Sequence, residues 1–337
     1  MEKRVSITDI AKKVGVSAAL VSYVLNGREK EKRVGVEMVS KIRAAAEELN
    51  YQPNQIARSL RLGSTKTIGL VVADIANPFF SHFARIVEDE AFKLGYTVVF
   101  GSSDEDERKS SFVLNTLLNR QVDGLIVIPS EGTEKQVLNL AKKHKPFVLF
   151  DRYFIDCACS YIILDNHKAT YNATRHLISK GHKGIALLAY KNSLIHMQER
   201  IRGYKDAMEE ANLNHANLLA ELKFSHSFKD FESYFRAFLS RNKNVDALLC
   251  SNNGLSVDAL YYLKQNCLRI PANIDFVGFD GGESFDLFTP PLSYVKQPLE
   301  EMGREAVKLL ADLMNGSTKV SHIMLDPEFV YRDNTGC

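Results

Sequence analysis

The chain has 337 residues, 45% of them hydrophobic and 25% charged, with a formal net charge of +2. This length exceeds one small core and predicts two or three ordinary globular domains, while no run approaches the roughly 18 apolar residues of a membrane span. The charge is unevenly spread. Residues 1–62 carry 12 Lys and Arg against 7 Asp and Glu, leaving 31 against 34 for the remainder; a basic head on a mildly acidic body fits a nucleic-acid-binding module joined to something else.

The first predicted helix is amphipathic, with Ile7, Ile10, Ala11 and Val14 at i, i+3, i+4, i+7 spacing. Gly15 permits the left-handed turn of a short helix–helix corner. Ser17 is placed to cap a second helix, with Leu20, Val21, Val24 and Leu25 inward and Ala18, Ala19, Ser22 and Tyr23 outward. This is the pattern of a helix-turn-helix with a short second helix suited to the major groove, although a hairpin used only for packing shares it. A charged loop, Arg28–Arg33, precedes a third helix from about Val36 to Leu49, which Pro53 closes off. Asn54–Arg61 reads as two turns of helix, too short to be stable alone. It is either a plain linker or a hinge that folds only when paired on DNA.

From Thr67 the pattern becomes α/β. Strands are predicted at 67–73, 96–100, 124–128, 147–150, 161–164, 184–189, 246–249 and 274–278, with helices between them and a last helix at about 298–314. Continuous apolar strands alternating with helices indicate parallel sheets covered on both faces. The alternation repeats, predicting two tandem α/β halves around a cleft, with ligands beyond the carboxyl ends of the strands. The expected organisation is a head at 1–53, a hinge and linker at 54–66, and a body of two interleaved α/β subdomains at 67–337.

With these residues in place, the chain resembles the lactose-repressor (LacI/GalR) family of bacterial transcription regulators. The resemblance runs through Thr8-Asp9-Ile10-Ala11, Gly15-Val16-Ser17, Val21-Ser22, Leu25-Asn26, Tyr51-Gln52-Pro53-Asn54 and Ala57-Arg58-Ser59-Leu60. It continues in Ile68–Val72, Asn77-Pro78-Phe79-Phe80, Val122–Ile126, Arg200–Tyr204 and Val277–Asp280. It implies a dimer on a near-palindromic operator, with paired hinge helices in the minor groove and Leu60 as the apolar wedge that kinks the duplex. Arg61 would lie in the same groove. Ala18, Ala19, Ser22 and Tyr23 take the base-facing positions, where the alanines offer only apolar contacts. Tyr23 stands where Arg or His is common, and the Arg28–Arg33 loop carries extra residues. Thr8, Ser17, Asn26 and Arg28 are better placed for phosphates, which position without specifying, and Asn54 is a further implied DNA-binding residue.

The body resembles a periplasmic sugar-binding fold. Its implied effector residues are Phe79, Phe80 and Phe228, whose rings suit the apolar face of a sugar or base, and Ser130, Asp151, Asn252 and Asp280, which end strands and can bond hydroxyls. Arg200 can bond hydroxyls or grip a carboxylate or phosphate with its fork. For each of these an ordinary structural role is the competing reading. Sugars, sugar acids and sugar phosphates are the commonest effectors of such regulators, and nucleobases a known exception.

Other classes are less well served. No GxSxG elbow, P-loop or HExxH occurs, and His82, His196 and His226 lack nucleophile signatures. A non-enzymatic regulator without cofactor or metal is therefore expected, ahead of an α/β enzyme with a DNA-binding head, a solute-binding protein, or a regulator controlled by a phosphorylated carrier protein. Five cysteines without CxxC spacing and an N-terminus without an apolar run predict reduced thiols in the cytoplasm. The absence of heptads after the last strands favours a dimer over a tetramer.

Overall fold

The structure, a computed structural model, describes residues 5–52 and 63–332. It divides into two compact units, Met1–Thr65 and Lys66–Cys337. The hinge residues Asn54, Leu60 and Arg61 lie outside the described residues.

The first unit holds three helices, α1 (Ile7–Val14), α2 (Ala18–Leu25) and α3 (Val36–Glu48). Ser6 and Asp9 form a reciprocal capping box at the start of α1, and Gly15 ends it at φ 76°. Ser17 caps α2, its hydroxyl accepting from the Leu20 amide at 3.2 Å. Ile10, Ala11, Val21, Val24, Ile42, Ala45 and Ala46 make one small core. Leu20, Leu25, Val39 and Leu49 close its edge as partly buried side chains.

The second unit contains two sheets. β1 (Thr67–Val72), β2 (Thr97–Ser102), β3 (Gly124–Val127), β4 (Phe147–Phe150), β5 (Ser160–Leu164) and β11 (His322–Leu325) form one, in the order β11-β5-β4-β3-β1-β2. β6 (Ile185–Tyr190), β7 (Leu219–Leu222), β8 (Ala247–Cys250), β9 (Asp275–Phe279), β10 (Ser293–Lys296) and β12 (Glu328–Val330) form the other, in the order β12-β10-β9-β8-β6-β7. All pairings are parallel except β10 with β12. The orders match strand for strand, so each half repeats the other.

The helices of this unit are α4 (Pro78–Lys93), α5 (Glu107–Asn119), α6 (Glu134–Lys142), α7 (Asn166–Ser179), α8 (Ile195–Glu210), α9 (Phe228–Arg241), α10 (Asn253–Gln265), the short α11 (Glu283–Asp286) and α12 (Leu299–Met314). Helices cover both faces of both sheets, giving two apolar cores per half. The halves are interleaved. After β5 the chain leaves the first half, returns with α12 and β11, and crosses again to β12. Gly203 marks the tightest helix contact: a Cβ there would lie 2.2 Å from the His167 carbonyl oxygen on α7.

Five expectations change. The segments 219–222, 293–296, 322–325 and 328–330, unassigned from the sequence, are strands, and α8, expected from the sequence at 198–211, begins three residues earlier at Ile195.

Candidate functional site

A cleft of about 700 Å³ lies between the halves, at the carboxyl ends of the parallel strands. The repeated architecture supplies its floor twice. Asp151 follows β4 and Asp280 follows β9, the equivalent strand of the other half, and both adopt left-handed backbone, φ 65° and 55°. Each is tied down by its own amide: Asp151 to the Ile162 carbonyl at 2.9 Å and Asp280 to the Val295 carbonyl at 2.8 Å. Non-glycine residues held there carry strain of about 1–3 kcal/mol and concentrate at functional sites.

The floor is charged and buried. Arg152 donates through both terminal nitrogens to Glu105 at 2.8 and 2.7 Å, and its Nε lies 3.4 Å from Asp151. Arg200, 3% exposed, donates from Nε to Asn166 at 2.7 Å and from Nη1 to the Ser251 carbonyl at 2.5 Å, while its guanidinium stacks 3.9 Å from the Phe279 ring centroid. Gln297 donates to Asp280 at 3.1 Å. Burial pushes the Asp151 carboxyl up and that of Asp280 up to about 7, against the opposing pull of the arginines. Burial, with Arg152 and Arg200 nearby, holds His196 neutral, well below the ordinary histidine range. Among the described residues, Asp151 Oδ1, His196 Nδ1, Ser251 Oγ and Gln297 Oε1 are buried without hydrogen-bond partners. Buried polar atoms are rarely left so, and the three on residues that line the cleft, Asp151, His196 and Gln297, mark where a polar ligand would bond.

At the rim, Glu131 of the first half accepts from both the amide and hydroxyl of Ser193 in the second, at 2.8 and 2.7 Å. This pair spans the mouth between the halves.

The scan against family models matches residues 6–54 to "Bacterial regulatory proteins, lacI family" and residues 174–335 to "Periplasmic binding protein-like domain". The chain is 33% identical over 334 residues to the HTH-type transcriptional repressor PurR of Aliivibrio fischeri, covering 98% of both. It is 31% identical over 334 residues to the ribose operon repressor of Haemophilus influenzae, again covering 98% of both. The chain belongs to the LacI family. It is a LacI-type DNA-binding transcriptional regulator, and its fold superposes on the lac repressor dimer bound to operator and the anti-inducer ONPF, with TM-score 0.84, 25% identity and 99% of each chain covered. A second solved neighbour is the transcriptional regulator CelR–cellobiose complex, with TM-score 0.73 and 26% identity, covering 98% of this chain and 100% of that one.

Six of the eight effector residues expected from the LacI resemblance, Phe79, Phe80, Asp151, Arg200, Asn252 and Asp280, line the cleft. Two do not. Ser130 is fully buried behind it, its hydroxyl 2.9 Å from that of Ser103. Phe228 packs in the core of the second half, against Phe231 and Tyr261; the cleft aromatics on that side are Tyr190 and Phe224. Phe79 and Phe80 also belong to the first half's core, so they serve both readings. Arg200 cannot grip an anion with a free fork, because two of its three nitrogens are committed within the protein. Sequence reasoning missed Arg152, His196, Tyr190, Phe224 and Gln297 as lining residues.

In the head, Thr8, Ser17, Ala18, Ala19, Asn26 and Arg28 are exposed and Ser22 and Tyr23 partly so. Asn26 bonds the Ser22 carbonyl at 2.6 Å. Arg28 clasps Glu31 at 2.7 and 2.6 Å, and with Lys32 flanks the Tyr23 ring.

No helix among the described residues is long and apolar enough to cross a membrane, and no group of three or more His, Cys, Asp or Glu there could hold a metal ion.

Proposed function

We propose that this regulator binds a near-palindromic operator as a dimer and is switched by a small, hydroxyl-rich molecule, a sugar or sugar derivative, seated between the two halves of its body. The observation that carries the effector class is the cleft floor: two carboxylates, one guanidinium edge and several unpartnered polar atoms set beside aromatic rings. Polyols offer both donors and acceptors to such a set and an apolar face to the rings. With Arg152 neutralised by Glu105 and the Arg200 fork spent, the floor favours neutral hydroxyls over a phosphate or carboxylate. A second reading, a nucleobase effector, is supported by the PurR relatives and by the aromatic Phe79 and Phe224.

Ala18, Ala19, Ser22 and Tyr23 read bases. Thr8, Ser17, Asn26 and Arg28 hold phosphates, for which Arg28 would exchange Glu31 for the backbone anion. Asn54, Leu60 and Arg61 act from the hinge, between a head at 1–53 and a body from 67. Exposed Phe92, Phe100 and Phe112 on the first half and Tyr261 and Leu287 on the second supply apolar surface for a dimer. The protein works as a cytoplasmic switch and not as a catalyst.

The test is fluorescence anisotropy on labelled duplexes from its own and neighbouring promoters, at two salt concentrations, with and without sugars, sugar acids, sugar phosphates and nucleobases. Tight, salt-sensitive binding to one near-palindrome, altered by a neutral sugar, is expected. Binding no better than to scrambled duplex under every compound would overturn the regulator reading.

A further inference from the structure

The cleft does not end at its floor. A second cavity of about 630 Å³ opens beside it, at the carboxyl edge of β6 and β7, under the 223–227 segment and the first turns of α9 and α10. Tyr190, Lys191, Lys223, Phe224, Ser225 and Asp258 line both spaces, so the two adjoin at these side chains. The position is the one where open α/β sheets take ligands, beyond the carboxyl ends of their strands.

Ser225 at this junction is tied to Asp230 and Ser227, but four other polar groups there are uncommitted. Among the described residues, the Asp258 carboxylate, the Tyr190 hydroxyl and the ammonium groups of Lys191 and Lys223 make no hydrogen bond or ion pair. Elsewhere the unit pairs its charges freely, as Glu105 with Arg152 and Asp275 with Lys180 show. Burial raises the Asp258 carboxyl with no cation to offset it. Deeper in, Tyr234 and Phe231 provide aromatic wall and Asp230 a further acceptor. Acids and lysines together leave the junction without a strong sign, which disfavours a highly charged occupant and suits hydroxyls. The first chamber alone already falls in the roughly 300–1,000 Å³ range of pockets that enclose whole drug-sized ligands.

We infer that the effector is at least two sugar units long, with one unit on the Asp151–Arg200–Asp280 floor and the next in the chamber behind Phe224, bonded by Asp258 and Tyr190. This rests on the sugar reading above and specifies its size class. Asp258 fixes the second unit and the floor residues the first, so the two can be separated by mutation.

The test is isothermal titration of the full-length protein with maltose, cellobiose, lactose, sucrose, trehalose and melibiose, and with glucose, galactose and fructose. Wild type is compared with Asp258→Asn and Tyr234→Ala, each checked for an unchanged melting transition. One disaccharide should bind at least tenfold tighter than either of its monosaccharides. That advantage should fall at least tenfold in both variants; in Tyr234→Ala, which lines the second chamber and not the first, the monosaccharide affinity should stay within twofold. Tyr234→Ala provides an independent reading of the same chamber should Asp258→Asn fold poorly. A monosaccharide binding as tightly as any disaccharide, or a disaccharide advantage that survives both substitutions, overturns the two-unit inference while leaving a sugar effector intact. No binding of any of these sugars overturns the inference, and a nucleobase (adenine, guanine or hypoxanthine, titrated in the same way) binding instead overturns the sugar reading with it.

Discussion

Asp280 offers the sharpest test of the cleft's electrostatics. Its carboxyl is raised by burial to about 7 from an ordinary 3.8. A carboxyl raised on folding gives the folded state its full stability below the unfolded value and loses it as pH rises through the folded one. The window therefore runs from about pH 4 to pH 7. A gap of about three pH units amounts to ~4 kcal/mol at 1.36 kcal/mol per unit. Of this, ~2.5 kcal/mol falls between pH 5 and pH 8. Asp151 is raised by burial against the pull of Arg152 and Arg200, and its charge in turn raises Asp280, so the two titrate as a pair and the observable difference is taken as ~2 kcal/mol. Asp280→Asn keeps the shape and removes the titration. His196 titrates in the opposite sense, with stability falling as pH drops below the histidine range, but it does so in both proteins and cancels in the comparison. The chain has no Trp, so urea unfolding of both proteins without ligand is followed by far-UV circular dichroism at pH 5, 6, 7 and 8. The asparagine protein should gain on wild type by ~2 kcal/mol across that range, almost all of it below pH 7. Parallel curves would refute the buried, ionisable floor.

Four further outcomes follow from particular contacts. Gly203→Ala drives a methyl into the His167 carbonyl and should cost about 1–3 kcal/mol, read as a lower melting temperature of the body. Ser17→Ala removes the cap of the recognition helix and should cost the head ~1 kcal/mol, whereas Ser17→Gly should cost only a few tenths, both read by thermal circular dichroism. Phe100→Lys together with Phe112→Lys should shift the protein from dimer to monomer in sedimentation and weaken operator binding; an unchanged dimer would place the interface elsewhere. Glu131→Ala removes the Ser193 bond across the cleft mouth and should change the effector concentration needed for release from DNA without altering affinity for operator alone.

The parts of the fold legible in the sequence are those whose chemistry is local. Phe147–Phe150 and Gly124–Val127 are buried on both faces and read as unbroken apolar runs. Ser17 and Gly15 announce the helix corner because a cap and a left-handed turn each demand a particular residue type. The missed strands lack such marks. β11 is a sheet edge with alternating exposure, and β12 is three residues long and pairs antiparallel beyond β10. Their pairing comes from the chain's third crossing between the halves, a tertiary event with no local pattern. The interleaving is expected from the family resemblance, but the strand pairings that carry it, β11 beside β5 and β12 beside β10, have no local mark in the sequence.

The errors at the cleft descend from those missed strands. A ligand-facing residue in such a sheet sits just past the carboxyl end of its strand, so an unseen strand hides the residue that follows it. With β7 unassigned, the end at Leu222 was invisible. The aromatic expectation moved four residues on to Phe228, which packs in the core of the second half, instead of stopping at Phe224. With β10 unassigned, Gln297 had no strand to follow, although it bonds Asp280. Starting α8 late removed His196, which precedes Arg200 by four residues and so shares its face of the helix. Ser130 failed differently. It lies beyond a correctly placed β3, but its hydroxyl turns to Ser103 beyond β2, satisfying both within the first half. Asp151 and Asp280 reach the cleft lining from the sequence because each follows a strand legible from its own residues. The symmetry of the two halves explains why both carry the same residue type in the same left-handed conformation.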